Sequence, residues 1–303
     1  MIAGAGPWGR ILLRSLSDTA GADLVGVATR QADVDALLPP GARRVERWGD
    51  LFALAPDGLI AATPAATHAA VALAAIALGI PALVEKPLAT DAAAADAVRI
   101  AARARQVPIL VNHVDLANPA WQSITAAAGP ATPGEVIEIE VGGPGPFRSD
   151  CSPLWDWGPH AIALALDRLG SAAEVVSACA ERGRGAGAAG AVYVAELRRA
   201  DGALARLRFG SGFEEKRRRA VIRRGSRALT YDDRASDRAT VDAGKGPRRI
   251  DHPTTSPVVA SLQRFIDRLS PADARQAQTD DDLDLAVAVV VRLASLERCL
   301  QEP

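Results

Sequence analysis

The sequence is poor in cysteine, and its three cysteines lie far apart. Cys151, Cys179 and Cys299 form no C-x-x-C pair. Secreted folds that depend on disulfides are rich in cysteine, so this pattern favours reduced thiols and a cytoplasmic protein. We expect no bound metal.

The chain also lacks an excess of charge of either sign. Its 35 Lys and Arg against 36 Asp and Glu give a net charge of -1. Such a balance argues against nucleic acid or a membrane surface as a partner. The basic run at 216–219 has no interleaved aromatics, so it does not indicate a nucleic-acid site either. No basic-then-apolar leader and no apolar run of membrane-spanning length is present. We therefore expect a small-molecule partner.

What the chain does have is length and apolar content for two hydrophobic cores. It has 303 residues, of which 49% are hydrophobic. Strands that alternate with helices in the first half predict a parallel sheet covered on both faces. Short strands joined by turns in the second half predict a mostly antiparallel sheet. The predicted fold class is α/β, with an N-terminal Rossmann dinucleotide-binding domain at 1–115 and a C-terminal α+β domain with an open sheet at 116–303.

A glycine-rich turn follows the first predicted strand and opens the first predicted helix. In that context Gly4, Gly6 and Gly9 match the G-x-G-x-x-G pattern of dinucleotide-binding proteins. The three glycines permit a tight turn, a close approach of the backbone to a pyrophosphate, and close packing of helix on sheet. Pro7, which precedes Trp8, is unusual there because it removes an N–H donor. The strand is also unusually short, so we hypothesise that the natural chain starts further upstream.

The residues after the second predicted strand bear on the choice of cofactor. Thr29 and Arg30 stand where an NAD-selective site places a carboxylate for the ribose 2'-hydroxyl. A hydroxyl and a guanidinium suit a 2'-phosphate, which favours NADP over NAD. The alternative is that Arg30 is a solvated loop residue and Asp33 binds the ribose.

A short apolar strand predicted at 80–84 leads into Glu85, Lys86 and Pro87. In open parallel sheets ligands bind at the carboxyl ends of the strands, so a lysine at that end is a candidate for chemistry. The alternative is a surface Glu–Lys pair in a turn.

Three segments in register resemble one known family. They are the glycine-rich turn at 4–9, Ile-Ala-Ala-Thr-Pro-Ala-Ala-Thr-His at 60–68, and Val-Glu-Lys-Pro-Leu at 84–88. Together they are similar to the glucose-fructose oxidoreductase, inositol dehydrogenase and rhizopine-catabolism family of dehydrogenases. The resemblance implies a cofactor above Thr63 and Pro64, a cis bond before Pro87, and a lysine that reaches nicotinamide and substrate. The predicted cofactor-binding residues are Gly4, Gly6, Pro7, Trp8, Gly9, Thr29, Arg30, Thr63, Pro64, His68, Glu85 and Lys86.

In the second half, a helix is predicted to open at Asp156 and to run to about residue 169. Asp156 and His160 are four residues apart and can share one face of it. The alternative is that Asp156 caps the helix, Pro159 lies in its first turn and His160 is a surface residue. The resemblance implies instead that the pair meets Lys86 across a cleft between domains, which gives a catalytic trio. Many family members have a further aspartate where this chain has Ala163.

These features predict hydride transfer between nicotinamide and a secondary alcohol, on a sugar or cyclitol. His160 would take the proton, Asp156 would orient the imidazole, and Lys86 would stabilise charge on the reacting oxygen. The predicted substrate-binding residues are Lys86, Asn112, His113, Arg148, Asp156 and His160, with further groups from the loop at 142–154. The resemblance also implies a homodimer or homotetramer formed through the second sheet.

Two other functions remain open at this stage. One is an enzyme that uses redox transiently to cleave glycosidic bonds with NAD. The other is a non-catalytic sensor on the same fold, although a sensor has no chemical need for the trio.

Overall fold

The structure is a computed structural model that describes residues 1–145, 148, 150–182, 190–269 and 281–301. The chain divides into two compact units. The first contains Met1–His113 and Ser256–Val287, and the second contains Val114–Thr255 and Ala288–Pro303. The second unit starts close to the predicted boundary at 115. Residues 256–287, which the sequence pattern places in the second domain, are grouped with the first.

The first unit is built on a six-stranded sheet whose pairs are all parallel. Its order is β3-β2-β1-β4-β5-β6, which confirms the predicted Rossmann-type sheet. The strands are β1 (Ile2–Ala3), β2 (Gly26–Ala28), β3 (Arg43–Val45), β4 (Leu59–Ala61), β5 (Ala82–Glu85) and β6 (Ile109–Asn112). Its helices are α1 (Pro7–Leu16), α2 (His68–Ala77), α3 (Ala92–Arg105) and α6 (Pro257–Asp267), with 3-10 helices at Ala32–Leu37, Trp48–Leu54 and Ala65–Thr67.

Local signals in the sequence set the helix ends of this unit. An aspartate directly before an alanine-rich segment predicts a helix cap at Asp91, and its side chain does cap α3 by accepting a hydrogen bond from the Ala94 N–H at 2.8 Å. Just beyond α2, Gly79 has a φ of 73°, a left-handed value that favours glycine at the end of a helix. The capping residues therefore define where the helices stop and the next strands begin.

The core of the first unit includes a helix from late in the chain. Buried residues of the sheet and of α1, such as Ile2 and Leu12, pack with Leu262 and Phe265 of α6. The Gln263 side chain also accepts a hydrogen bond from the Ala20 N–H at 3.0 Å. The amphipathic pattern at 257–269 predicts this helix, which the structure confirms at Pro257–Asp267, and the helix completes the core of the Rossmann-type unit.

The second unit is built on an eight-stranded sheet of order β14-β13-β12-β11-β7-β10-β9-β8. Among the described strands only β7 and β10 pair in parallel, so the prediction of a mostly antiparallel sheet is confirmed. The strands are β7 (Val136–Gly142), β8 (Glu174–Arg182), β9 (Ala191–Arg198), β10 (Leu204–Gly210), β11 (Arg217–Arg224), β12 (Arg227–Asp232), β13 (Ala239–Asp242) and β14 (Arg248–Arg249). Helices α4 (Pro119–Ala128) and α5 (Pro153–Leu169) belong to this unit, and α7 (Asp281–Gln301) contributes residues to both.

One face of the second sheet is covered by α5. The alternation of apolar and charged residues at 203–209 predicts one buried and one exposed face, and Leu207 and Phe209 of β10 are buried whereas Arg206 is exposed. Gly158 in α5 approaches Phe209 so closely that an added Cβ would meet its ring at 3.2 Å. The residues of β10 that face α5 therefore form the core of the unit. None of the helices in the described part of the chain is long and apolar enough to cross a bilayer.

One expectation about the second sheet is wrong. The alternation at 135–141 predicts glutamates that face outward, and Glu138 is partly exposed, but Glu135 is 1% exposed. Its carboxylate binds the guanidinium groups of Arg168 and Arg224, the first through Nε at 2.5 Å. Glu135 precedes β7, so it does not follow the alternation of that strand.

Candidate active site

The predicted functional residues of the first unit lie at one edge of its sheet. All six strands are parallel, so their carboxyl ends meet at that edge, where ligands bind in such sheets. The glycine-rich turn follows β1, Thr29 follows β2, Thr63 lies two residues after β4, and Lys86 follows β5. The topology therefore brings segments that are distant in sequence to one edge.

Packing within the protein explains two glycines of the turn but not the third. A Cβ at Gly4 would overlap the Ala62 carbonyl oxygen, and a Cβ at Gly9 would overlap the Gly4 carbonyl oxygen. A Cβ at Gly6 would meet nothing within 4 Å. The open space beside Gly6 suits a pyrophosphate that approaches the backbone at the start of α1, so the turn fits a dinucleotide. Pro7 takes the first position of α1, where its missing N–H removes no bond within the helix.

A buried carboxylate links the glycine-rich turn to the end of β5. Glu85 is the last residue of β5, so the prediction that the strand ends at 84 is wrong by one residue. The Glu85 side chain is buried, with 7% of the residue exposed, so the alternative of a surface Glu–Lys pair is also wrong for Glu85. The Trp8 indole N–H and the Asn112 amide donate to the same oxygen, Oε1. Asn112 in turn accepts a hydrogen bond from Ser261 at 2.6 Å. Lys86, directly after Glu85, is thereby fixed relative to the turn.

Burial shifts the protonation of this carboxyl group. Loss of water around Glu85 raises its pKa above the usual value for a glutamate. Hydrogen bonds from Asn112 and Trp8 lower it again, but by less than burial raises it. Perturbed carboxyl groups of this kind are common at functional sites.

A buried histidine joins two other predicted segments. His68, which is 2% exposed, places Nδ1 2.7 Å from the Pro87 carbonyl oxygen and Nε2 2.8 Å from the Thr63 carbonyl oxygen. Carbonyl oxygens only accept hydrogen bonds, so a neutral imidazole can donate one of these bonds and an imidazolium both. The Lys86–Pro87 peptide bond is cis, as the resemblance predicts. The segment that contains Pro64 is thus fastened to the one that carries Lys86.

The loop after β2 leaves the two alternatives for the ribose open. Arg30 is exposed, whereas the Asp33 carboxylate is bound by Arg10 at 2.8 Å. The hydrogen bond from Arg10 holds the pKa of Asp33 below its usual value. Thr29 accepts a hydrogen bond from the Gln31 N–H at 3.2 Å.

In the second unit, α5 starts earlier than predicted. Ser152 is its cap, with its hydroxyl oxygen 3.4 Å from the Trp155 N–H, and Pro153 is its first residue. Asp156 therefore lies within the first turn rather than at the cap, and Pro159 lies inside the helix. His160 is 8% exposed, so the alternative of a capping aspartate and a surface histidine is wrong.

His160 has a carboxylate partner that the sequence pattern does not indicate. Its Nδ1 lies 2.6 Å from Oδ2 of Asp115, and the other oxygen of Asp115 lies 2.9 Å from Nε of Arg218. Asp115 is in the turn between β6 and α4, 45 residues from His160. No local periodicity connects residues so distant in sequence. The one available signal is that Asp115 closely follows a strand end.

Two predicted substrate-binding residues are also in contact. Arg148 lies 3.5 Å from Asp156, through Nη1 and Oδ1, and it binds Asp150 through two hydrogen bonds of 3.0 and 2.8 Å. Hydrogen bonding to Asp150 raises the pKa of the Arg148 guanidinium, which therefore stays charged. Pro146, Phe147 and Ser149 of the predicted substrate loop lie outside the described residues.

The described residues contain no group of three or more His, Cys, Asp or Glu side chains arranged to hold a metal ion.

Comparison with known proteins gives the family of this chain. Residues 1–113 match the family model described as "Oxidoreductase family, NAD-binding Rossmann fold". A solved structure of an oxidoreductase from Magnetospirillum magnetotacticum MS-1 is 33% identical, covers 97% of each chain and has a TM-score of 0.83. The chain belongs to the glucose-fructose oxidoreductase, inositol dehydrogenase and rhizopine-catabolism family. As a member of this family it is an oxidoreductase with a nicotinamide-binding Rossmann domain.

Other solved structures share the fold of this family member at lower identity. UDP-N-acetylglucosamine 3-dehydrogenase GnnA from Acidithiobacillus ferrooxidans is 24% identical, with coverage of 99% of this chain and 96% of that one and a TM-score of 0.80. KijD10, a 3-ketoreductase from Actinomadura kijaniata in complex with NADP and TDP-benzene, is 20% identical, with coverage of 95% of this chain and 94% of that one and a TM-score of 0.78. No curated protein matches the sequence.

Proposed function

We propose that this oxidoreductase transfers a hydride between NADP and a secondary hydroxyl or ketone of a sugar, a sugar derivative or a cyclitol. The observation that carries the proposal is the hydrogen-bonded connection from Trp8 through Glu85 to the strand end that bears Lys86. It joins a turn that fits a dinucleotide to the lysine for which we propose a role in the chemistry. NAD remains the second choice of cofactor.

The residues of the chain supply proton transfer and charge stabilisation. The bound nicotinamide would accept or donate the hydride. During oxidation of the alcohol, His160 takes the hydroxyl proton as the C–H bond breaks and the C=O bond forms. Lys86 donates a hydrogen bond to the reacting oxygen and stabilises its negative charge, an interaction that is strongest where water is excluded. Asp156, which lies 3.5 Å from Arg148, binds a further hydroxyl of the substrate.

Chemistry on sugars is supported by the relatives and by the residues. GnnA acts on UDP-N-acetylglucosamine and KijD10 is a 3-ketoreductase. We extend the class of substrate, a sugar carbon that bears a hydroxyl or ketone, to this chain. Arg148 and Asp156 offer the charged donor and acceptor that discriminate between hydroxyl groups.

The role of Lys86 is tested by substitution with alanine. Lys86→Ala should lower kcat by roughly 10²-fold or more, because it removes a donor to the reacting oxygen. Turnover would be followed by the absorbance of the reduced nicotinamide across a panel of sugars, nucleotide sugars and cyclitols. Lys245→Ala, an exposed lysine in the loop between β13 and β14, is the matched control. An unchanged kcat in Lys86→Ala would refute the role, and cofactor binding by the wild type without turnover of any substrate would favour a sensor.

The choice of NADP is tested by titration with NADPH and NADH. If Arg30 binds the 2'-phosphate, Arg30→Ala should weaken NADPH binding by on the order of tenfold or more and leave NADH binding unchanged. Fluorescence or calorimetric titration of the purified protein measures both. Equal binding of the two cofactors by the wild type, or tighter NADH binding that is lost in Asp33→Asn, would overturn the choice in favour of NAD.

A further inference from the structure

We infer that Asp115 is the positioning residue of the acid–base histidine. It holds the His160 ring with a proton on Nδ1 and leaves Nε2 to exchange the hydroxyl proton of the substrate. The inference rests on the proposed function, in which His160 transfers that proton, and its first test below does not require turnover.

The contact between the two side chains determines which nitrogen carries the proton. The Asp115 and His160 side chains are 5% and 9% exposed, and Oδ2 lies 2.6 Å from Nδ1. An ionised carboxylate can only accept a hydrogen bond, so Nδ1 must be the donor. In the neutral ring the lone pair then lies on Nε2, which becomes the basic nitrogen.

A second partner favours the ionised form of Asp115. Its Oδ1 lies 2.9 Å from Nε of Arg218, so each carboxylate oxygen faces a different cation or donor. Arg218 is fixed in turn, because its backbone N–H donates to Asp233 at 3.2 Å and its carbonyl oxygen accepts from the Asp233 N–H at 3.0 Å. The carboxylate is therefore oriented from one side by β11 while its other oxygen faces the histidine.

The backbone that carries Asp115 is also anchored. Its carbonyl oxygen accepts a hydrogen bond from the Asn118 N–H at 3.2 Å. Asn118 caps α4 through Ala120 and donates to the Tyr231 hydroxyl at 2.8 Å. The start of a helix and the central part of the second sheet thus hold Asp115 before any substrate binds, as expected of a group that orients another.

This arrangement separates the roles of two aspartates. Asp156, four residues before His160, is the residue that the sequence pattern favours for orienting the ring. The carboxylate that the structure places on Nδ1 is that of Asp115. On our proposal Asp115 orients the imidazole, and Asp156, next to Arg148, contacts the substrate.

Nuclear magnetic resonance of 15N-labelled histidine tests the inference directly. The chain has four histidines, and the spectrum of His160→Gln identifies the signals of His160. At a pH where the ring is neutral, we expect the wild type to show a protonated Nδ1 and an unprotonated Nε2. Asp115→Asn should lose this preference, because an amide can both donate and accept. Asp251→Asn, which removes an exposed carboxylate next to Arg249 in the same unit, should leave the His160 signals unchanged.

Kinetics provide a second readout. If the wild type is active, Asp115→Asn should lower kcat by on the order of 10²-fold or more, because the ring no longer presents the basic nitrogen, while KM and the Kd of the cofactor change little. Asp251→Asn should retain its kcat. Circular dichroism confirms that each variant is folded.

The outcomes separate this inference from the proposed function. If the neutral His160 ring of the wild type carries its proton on Nε2, the inference is wrong, and this result does not depend on whether Asp115→Asn folds. The inference is also wrong if Asp115→Asn folds and its His160 keeps the same tautomer as the wild type. Absence of turnover in the wild type would overturn the proposed function, whereas the spectra would still decide whether Asp115 orients the ring.

Discussion

Each unit of the molecule buries a glutamate at a strand end, and the two are held in opposite ways. Glu85 at the end of β5 receives its hydrogen bonds from an indole and an amide, which are neutral groups. Glu135 before β7 is bound by two arginines. Burial raises the pKa of both carboxyl groups, but at Glu135 the arginines more than offset it and hold the pKa below its usual value. At Glu85 burial prevails and the pKa is raised.

The difference distinguishes a structural carboxylate from one at a candidate site. The arginines that bind Glu135 also reach the end of α4, Arg168 at the Gly129 carbonyl and Arg224 at the Ala128 carbonyl. This cluster therefore fastens the helix to the second sheet. Glu85 lies between the glycine-rich turn and Lys86, where a buried carboxylate held by neutral side-chain donors costs stability and fixes position.

The largest expected effect is at Glu135. Glu135→Gln keeps the shape of the side chain but leaves two arginines without their counter-charge, so the free energy of unfolding should fall by roughly 3 to 5 kcal/mol. Glu138→Gln is the matched control, because Glu138 is 37% exposed in its pair with Arg223, and it should cost less than about 1 kcal/mol. Urea denaturation measures both.

The pH dependence of Glu135→Gln sharpens the same comparison. A carboxyl group with a lowered pKa stabilises the folded state above its usual pKa, and this contribution is lost as the pH falls through the folded value. The difference in stability between wild type and Glu135→Gln should therefore shrink as the pH falls into the acid range. A difference that stays constant, or a loss no larger than that of the control, would contradict the role of the ion pairs.

A smaller effect of opposite pH dependence is expected at Glu85. The hydrogen bonds from Trp8 and Asn112 both go to Oε1, and glutamine retains such an oxygen, so at low pH Glu85→Gln should differ from wild type by about 1 kcal/mol or less. A raised pKa means that the wild type loses stability as the pH rises from the usual value of a glutamate to the folded one. The variant lacks this loss and should become relatively more stable there.

Denaturation of wild type and Glu85→Gln over a series of pH values decides the point. If the two proteins differ by the same amount at every pH, Glu85 does not titrate with a raised pKa. A large loss at low pH would show that the second carboxyl oxygen, and not only Oε1, holds the structure together.

Much of the first unit could be predicted because its signals are local. The cap at Asp91 and the alternation of apolar strands with helices place α3 and the parallel sheet correctly. The sequence pattern does not predict β3, β13 or β14, since elements of two to four residues show little periodicity. The start of α5 was misplaced because Asp156 is as good a cap by type as Ser152, and only the fold decides between them.

Part of the candidate site could also be predicted from local signals in the sequence. Lys86 and the glycine-rich turn are carried by compact motifs, and the bond from Trp8 to Glu85 joins two of them. Asp115 was missed because its contact with His160 depends on the path of the chain through α4 and β7. No spacing rule covers a pair that only the tertiary fold brings together.

The place of α6 in the core of the first unit has a consequence for synthesis of the protein. Leu262 and Phe265 pack against β1 and α1, yet the ribosome makes them only after the whole second sheet. A nascent chain that has just completed β6 still exposes the apolar surface that α6 will cover. The core of the Rossmann-type unit therefore cannot be completed until α6 has been synthesised, late in translation. Until then its apolar surface is exposed to chaperones and to aggregation.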